Sequence, residues 1–153
     1  MINLKINFKK LFLYIVITAL IGSLFTFFSM DGMEAFQTVV NKPSFTPPGI
    51  VFGIAWTILY ILMAISWYMV DSCKPCVIVY FIQLIVNSLW SFIFFGWGNY
   101  FVALLWTILL LGLIVYMILV FYKEKPAAAY LQIPYLLWTI FATILTYGVF
   151  SLN

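Results

Sequence analysis

The chain has 153 residues, 67% of them hydrophobic and only 7% charged. A water-soluble domain of this size needs far more charge on its surface, so the composition excludes one and points to an integral membrane protein. The net charge of +3 comes from seven lysines against four acids, with no Arg and no His, and is too slight and too scattered for nucleic-acid binding.

A helix crossing the ~30 Å hydrocarbon layer takes about 20 residues, so five spans would use about two thirds of the chain. The apolar runs are continuous rather than alternating ten-mers, which disfavours a transmembrane barrel. The expected fold class is all-α, a five-transmembrane-helix bundle, with residues 1–153 forming a single membrane domain.

The chain opens with Lys5, Lys9 and Lys10 ahead of an apolar run from Leu11 to Phe28. The run is longer than a signal-peptide core and no small-x-small cleavage site follows it, so it reads as the first span. Gly22 and Ser23 suit close helix approach there. Residues 29–46 form the longest loop, with Asp31, Glu34 and Lys42 as its charges. Asp31-Gly32 reads as a turn, and Met33 to Val40 as a short interfacial helix. A loop of this length on a small bundle acts as a lid or a tether.

Lys42 to Tyr60, KPSFTPPGIVFGIAWTILY, is the stretch around which the rest is arranged. Pro43, Pro47 and Pro48 fit an entry turn and a first helical turn, and Thr46 is placed to cap the helix. The second span follows, from Pro48 to Val70. Trp56, Tyr60, Met63 and Trp67 recur at i, i+4, i+7 and i+11, one stripe of large side chains. This stretch reads as the floor and one wall of a pocket opening at a membrane surface.

A short link, Asp71 to Cys76, leads to the third span, Val77 to Phe95. Gly96-Trp97-Gly98-Asn99 reads as a turn with an interfacial aromatic. The fourth span is Tyr100 to Tyr122. The link Lys123 to Pro126 leads to the fifth, Ala127 to Phe150, with Pro134 expected to kink it about one turn in. No internal repeat supports an inverted-repeat transporter. Six lysines (5, 9, 10, 74, 123 and 125) share one side and Lys42 alone is opposite. By the positive-inside rule the N-terminus is cytoplasmic, with the first loop and the C-terminus outside, as expected in a bacterial cell membrane.

Two helical faces carry polar or aromatic groups. Gln83, Asn87, Trp90, Ser91 and Phe94 share a face of the third span, and a buried amide in lipid needs partners, so this face points inward. It serves either as an interhelical clamp or as a group that orients a ligand. Tyr135, Trp138, Ala142 and Thr146 share a face of the fifth span, where Trp138 is either core filler or a stacking surface. An indole N–H wants a partner, which makes Trp56, Trp90 and Trp138 better site candidates than any phenylalanine. Cys73-Lys74-Pro75-Cys76 has redox-dithiol spacing without the surrounding βαβ pattern, a weak signal for redox or metal chemistry. The acids Asp31, Glu34, Asp71 and Glu124 fall at the interfaces, so no conventional acid–base or nucleophile set assembles in the membrane. No cofactor or metal is expected. The remaining lining of Trp, Tyr, Asn and small residues suits a flat, apolar ligand with a few polar edges.

Three motifs, KPSFTPPGIVFGIAWTILYILM at 42–63, QLIVNSLWSFIFFG at 83–96 and IPYLLWTIFATIL at 133–145, resemble the TspO/MBR family. These are the tryptophan-rich sensory proteins related to the mitochondrial translocator protein, the peripheral benzodiazepine receptor. The resemblance covers nearly the whole chain. It implies a five-helix bundle with a ligand pocket beneath the first loop, binding porphyrins such as protoporphyrin IX and similar hydrophobic molecules. Matching pocket positions are Trp56, Tyr60, Asn87, Trp138 and Ala142, to which the face of the third span adds Trp90. It also implies association into dimers, and Trp56 and Trp138 match tryptophans connected with light-dependent porphyrin breakdown in bacterial relatives. The chain departs from the pattern at Phe36-Gln37, where the family usually has Trp, often followed by Tyr. It departs again at Phe45 in the PSW triplet and at Thr146, where an asparagine is typical. Only GVFSLN follows Tyr147, so the animal cholesterol motif is missing. The function expected is a membrane translocator or receptor for porphyrins, with a light-dependent porphyrin-degrading enzyme as the alternative and a partner-binding membrane protein third.

Overall fold

Prolines and short polar stretches cut this apolar sequence into its helices. The computed structural model describes residues 6–153; Lys5, used above for orientation, lies outside them. α1 (Phe8–Phe27) starts where the Asn7 side chain accepts from the backbone N–H of Lys10. α2 (Met30–Thr38) follows almost at once, then an extended segment, then α3 (Gly49–Met69). α4 (Lys74–Ser91) carries Pro75 in its first turn and runs on as a π turn, Phe92–Gly96. α5 (Tyr100–Glu124) is capped by the Asn99 side chain. α6 (Pro126–Tyr130) and α7 (Ile133–Leu152) complete the chain. Every regular element among the described residues is helical, and five stretches are long and apolar enough to cross a membrane. The protein is an integral, multi-pass membrane protein.

Four boundaries differ from the sequence reading; the first is α4, which starts at Lys74 rather than Val77 because Cys73 caps it and Pro75 fits its first turn. Thr46 does not cap α3; Pro48 holds that position, and the Thr46 hydroxyl donates to the Pro43 carbonyl at 2.7 Å. Residues preceding proline avoid helical backbone, so Thr46 and Pro47 stay extended and the helix starts later. Asp31-Gly32 is not a turn but part of α2, whose first turn carries Asp31 where the helix dipole favours an acid. Pro134 does not kink a continuous helix. The fifth span breaks at Leu131-Gln132, and Pro134 occupies the first turn of α7, where its missing N–H costs nothing.

The spans form a closed ring. α1 packs on α3 and α4, α4 on α5, and α5 on α7. The ring closes where α3 meets the fifth span, more through α6 than through α7. Two packed regions result. One, at the end bearing Lys74 and Lys123, gathers Met63, Trp67, Tyr80, Met117 and Tyr135; the other, at the loop end, gathers Phe36, Trp90, Phe94, Leu145 and Val149.

Polar side chains inside the ring tie helices together. The Tyr135 hydroxyl donates to Gln83 Oε1 at 2.8 Å, so Gln83 acts as the interhelical clamp. Thr18 and Tyr80 share a hydrogen bond of 2.7 Å between α1 and α4. Trp106 Nε1 donates to the Val86 carbonyl at 2.8 Å. Interhelical hydrogen bonds in bilayers contribute modestly, because the separated helices also find partners. Tyr135→Phe should therefore lower stability by roughly 1 kcal/mol, read as an earlier midpoint in a detergent-denaturation titration.

Candidate functional site

The contact between α1 and α3 changes along its length. Toward the lysine-bearing end the two helices are locked by Tyr14 stacked on Trp67, ring centroids 3.7 Å apart and 7° from parallel. At mid-height Gly22 leaves room for the Tyr60 ring, which a Cβ at that position would strike. Around and beyond it the facing residues are small: Ala19, Ser23 and Thr26 on α1, and Gly49, Gly53 and Thr57 on α3. Small side chains cannot fill the space, and a cavity of about 400 Å³ remains.

Its inner wall is aromatic, with Phe52, Trp56 and Tyr60 from α3 and Trp90 and Phe95 from the third span. Its roof is α2, through Met33, Phe36 and Gln37. Phe36 is buried, with its ring centroid 5.3 Å from those of both Phe94 and Phe95. Gly32 makes that seat by letting α2 lie directly against the Phe95 carbonyl. Lys42 braces the roof from outside; its Nζ donates to the Gln37 carbonyl at 2.8 Å and lies 5.3 Å from the centre of the Phe36 ring. On the bilayer side the cavity is open between the upper parts of α1 and α3, where Ser23, Gly49, Gly53 and Thr57 are exposed.

No lining residue carries a formal charge. Two polar atoms of the lining residues, Asn87 Oδ1 and Trp90 Nε1, are buried with no protein partner. They are one acceptor and one donor, three residues apart on the same helical face. A cavity of this size with an apolar lining and a few polar groups has the make-up of a small-molecule site.

Residues 12–152 match the TspO/MBR family. The chain belongs to that family. It is 35% identical over 154 aligned residues to the tryptophan-rich protein TspO of Archaeoglobus fulgidus, covering 96% of this chain and 99% of that protein. It is 34% identical over 125 residues to the tryptophan-rich protein TspO of Chlorobaculum tepidum, covering 77% and 79% of the two chains. The human translocator protein is 34% identical over 122 residues, covering 74% of this chain and 72% of that one.

Of the family's pocket positions, Trp56, Tyr60 and Asn87 line the cavity, as does Trp90. Trp138 and Ala142 do not. Trp138 stands a layer behind, its ring centroid 5.7 Å from that of Phe52, and it borders a shallow groove with Ala55 and Leu59. Ala142 is buried in the bundle, and its carbonyl accepts from the Thr146 hydroxyl at 2.7 Å. Of the three residues expected to share one hollow, Trp56 and Asn87 border this cavity and Trp138 lies outside its lining. Helical period groups residues onto a face but does not say which neighbour that face meets, and α7 packs chiefly on α5. The stripe on α3 also divides: Trp56 and Tyr60 face the cavity, whereas Met63 and Trp67 enter the packed region below. The contribution of α1 was missed. Its signal was present as Ala19, Ser23 and Thr26 at i, i+4 and i+7, a run of small residues on one face.

Proposed function

We propose that this TspO/MBR protein binds porphyrins and similar flat hydrophobic molecules in the cavity beneath α2, and acts in their transport or in a regulatory response to them. The observation that carries the reading is the lining: aromatic walls from Trp56, Tyr60 and Trp90, with Asn87 Oδ1 and Trp90 Nε1 unpaired. Aromatic faces favour stacking on a planar ligand. Both atoms are covered, so a ligand edge would meet them after a side-chain rotation; a buried polar atom without a partner costs about 1–3 kcal/mol, which such a contact would relieve. The acidic groups of a porphyrin would find their counter-charge outside the uncharged cavity, at Lys42 or the N-terminus of α3.

The protein works in a cell membrane of bacterial type, surrounded by lipid, as a homodimer, with its N-terminus in the cytoplasm. Lys9, Lys10, Lys74, Lys123 and Lys125 on one side favour that orientation. The photochemical alternative asks both Trp56 and Trp138 to reach the ligand, and ranks second because Trp138 is screened by Phe52.

A titration with protoporphyrin IX, followed by tryptophan fluorescence, tests the reading. Trp56→Phe and Asn87→Leu should each weaken binding, Asn87→Leu by roughly tenfold, the equivalent of one lost buried hydrogen bond. Trp138→Phe should change affinity far less. Unchanged binding in both of the first two variants would exclude this cavity as the site.

A further inference from the structure

We propose that Cys73 and Cys76 form a reversible thiol–disulfide site that exchanges with cytosolic dithiols. The two cysteines are bonded to each other, and no free cysteine remains. The bond closes a sequence separation of three, at the start of α4. In the chain-entropy account a cross-link stabilises more the longer the loop it closes, so one this short contributes less as a staple than a long-range bond would.

The environments of the two sulfurs differ. Cys76 is wholly buried, within the packed region that holds Val79 and Tyr80. Cys73 is partly exposed at the N-cap, and its Sγ accepts from the backbone N–H of Cys76 at 3.3 Å. An attacking thiolate can therefore reach Cys73 but not Cys76. Two effects act on the thiolate that leaves: burial of Cys76 disfavours its charge, and the positive end of the 18-residue helix α4 offsets part of that cost.

The site adjoins Lys74 and lies at the end of the bundle where Lys10 pairs with Asp71 at 2.6 Å. On the orientation proposed above, this end faces the cytoplasm. Structural disulfides are rare there, and those that form are mostly transient, catalytic or redox-sensing. The inference rests on that orientation and not on the ligand.

The exchange balances without a metal or an added oxidant. One thiolate of the partner dithiol attacks Cys73 Sγ; a partner–Cys73 bond forms, the Cys73–Cys76 bond breaks, and Cys76 leaves as thiolate. The partner's second thiol then attacks its own sulfur in the mixed disulfide and releases Cys73. The partner leaves as a disulfide, its two protons pass to the cysteines, and two electrons move to this chain. The reverse sequence, with an oxidised partner, restores the bond.

The test uses the full-length protein in inverted and right-side-out membrane vesicles, equilibrated with glutathione redox buffers that span the cytosolic ratio. A membrane-impermeant maleimide polymer then reports free thiols as a gel shift. In inverted vesicles the labelled fraction should rise from near none to most of the protein across the series, and fall again when the series is reversed. Right-side-out vesicles should stay unlabelled. In Cys73→Ser, Cys76 should resist the reagent until the protein is denatured. A labelled fraction fixed at either extreme throughout, or a response confined to right-side-out vesicles, would overturn the proposal.

Discussion

Replacing Trp67 with alanine should cost roughly 2–4 kcal/mol of stability, the largest effect of any single truncation in this bundle. Trp67 is buried and serves three helices at once. It stacks on Tyr14 of α1, lies 5.2 Å from the Tyr80 ring of α4, and meets Phe81 edge-on at 4.9 Å. In water the loss would include the transfer of the indole out of solvent. In a bilayer that part largely disappears, because lipid tails are as apolar as the core, and lost packing remains. The void would also be too enclosed for its neighbours to fill. Trp97→Ala provides the contrast, since Trp97 is 65% exposed and should be nearly neutral. A detergent-denaturation titration of both variants measures the difference. Equal midpoints would show that the α1–α3–α4 junction does not depend on this side chain.

Gly32→Val should unseat the roof and, on the proposed function, reduce porphyrin affinity by about tenfold. A Cβ at residue 32 meets the carbonyl of Phe95, which is backbone and cannot rotate aside. Two effects compete. Removing a glycine from a helix gains up to about 1 kcal/mol, whereas overpacking costs about 1–3 kcal/mol, so the clash wins. α2 must lift, and Phe36 leaves its place between Phe94 and Phe95. Hydrogen exchange in α2 should accelerate while that of α5 stays slow. Gly112→Ala is the control, because no atom lies within 4 Å of a Cβ there. Slow exchange in α2 of the Gly32 variant would mean that its helix tolerates the added bulk.

The fold was more legible in the sequence than the site. The five spans were legible because hydrocarbon thickness sets their length and lysines and prolines mark their ends. The aromatic wall was legible in part, since Trp56 and Tyr60 lie four residues apart and must share a face. Which neighbour that face meets is a matter of ring order, and that order sets Trp138 outside the lining of this cavity. The π turn at Phe92–Gly96 had no sequence signal of its own, because a run of phenylalanines suits an α-helix just as well. Its purpose appears only with α2 in place, whose Gly32 receives the Phe95 carbonyl. Thr46 misled for a local reason: the two prolines after it hold the chain extended, so its hydroxyl turns back to Pro43.

On the proposed function, and with α1 and α3 embedded as membrane spans, the gap between their small residues would open toward hydrocarbon rather than water. A solute entering there dissolves in the bilayer first and reaches the protein by moving within the leaflet. Occupancy then follows the solute's mole fraction in lipid, so two molecules with equal affinity for the cavity can differ widely in apparent strength through partitioning alone. Diluting the protein with extra lipid would weaken apparent binding without altering a single contact.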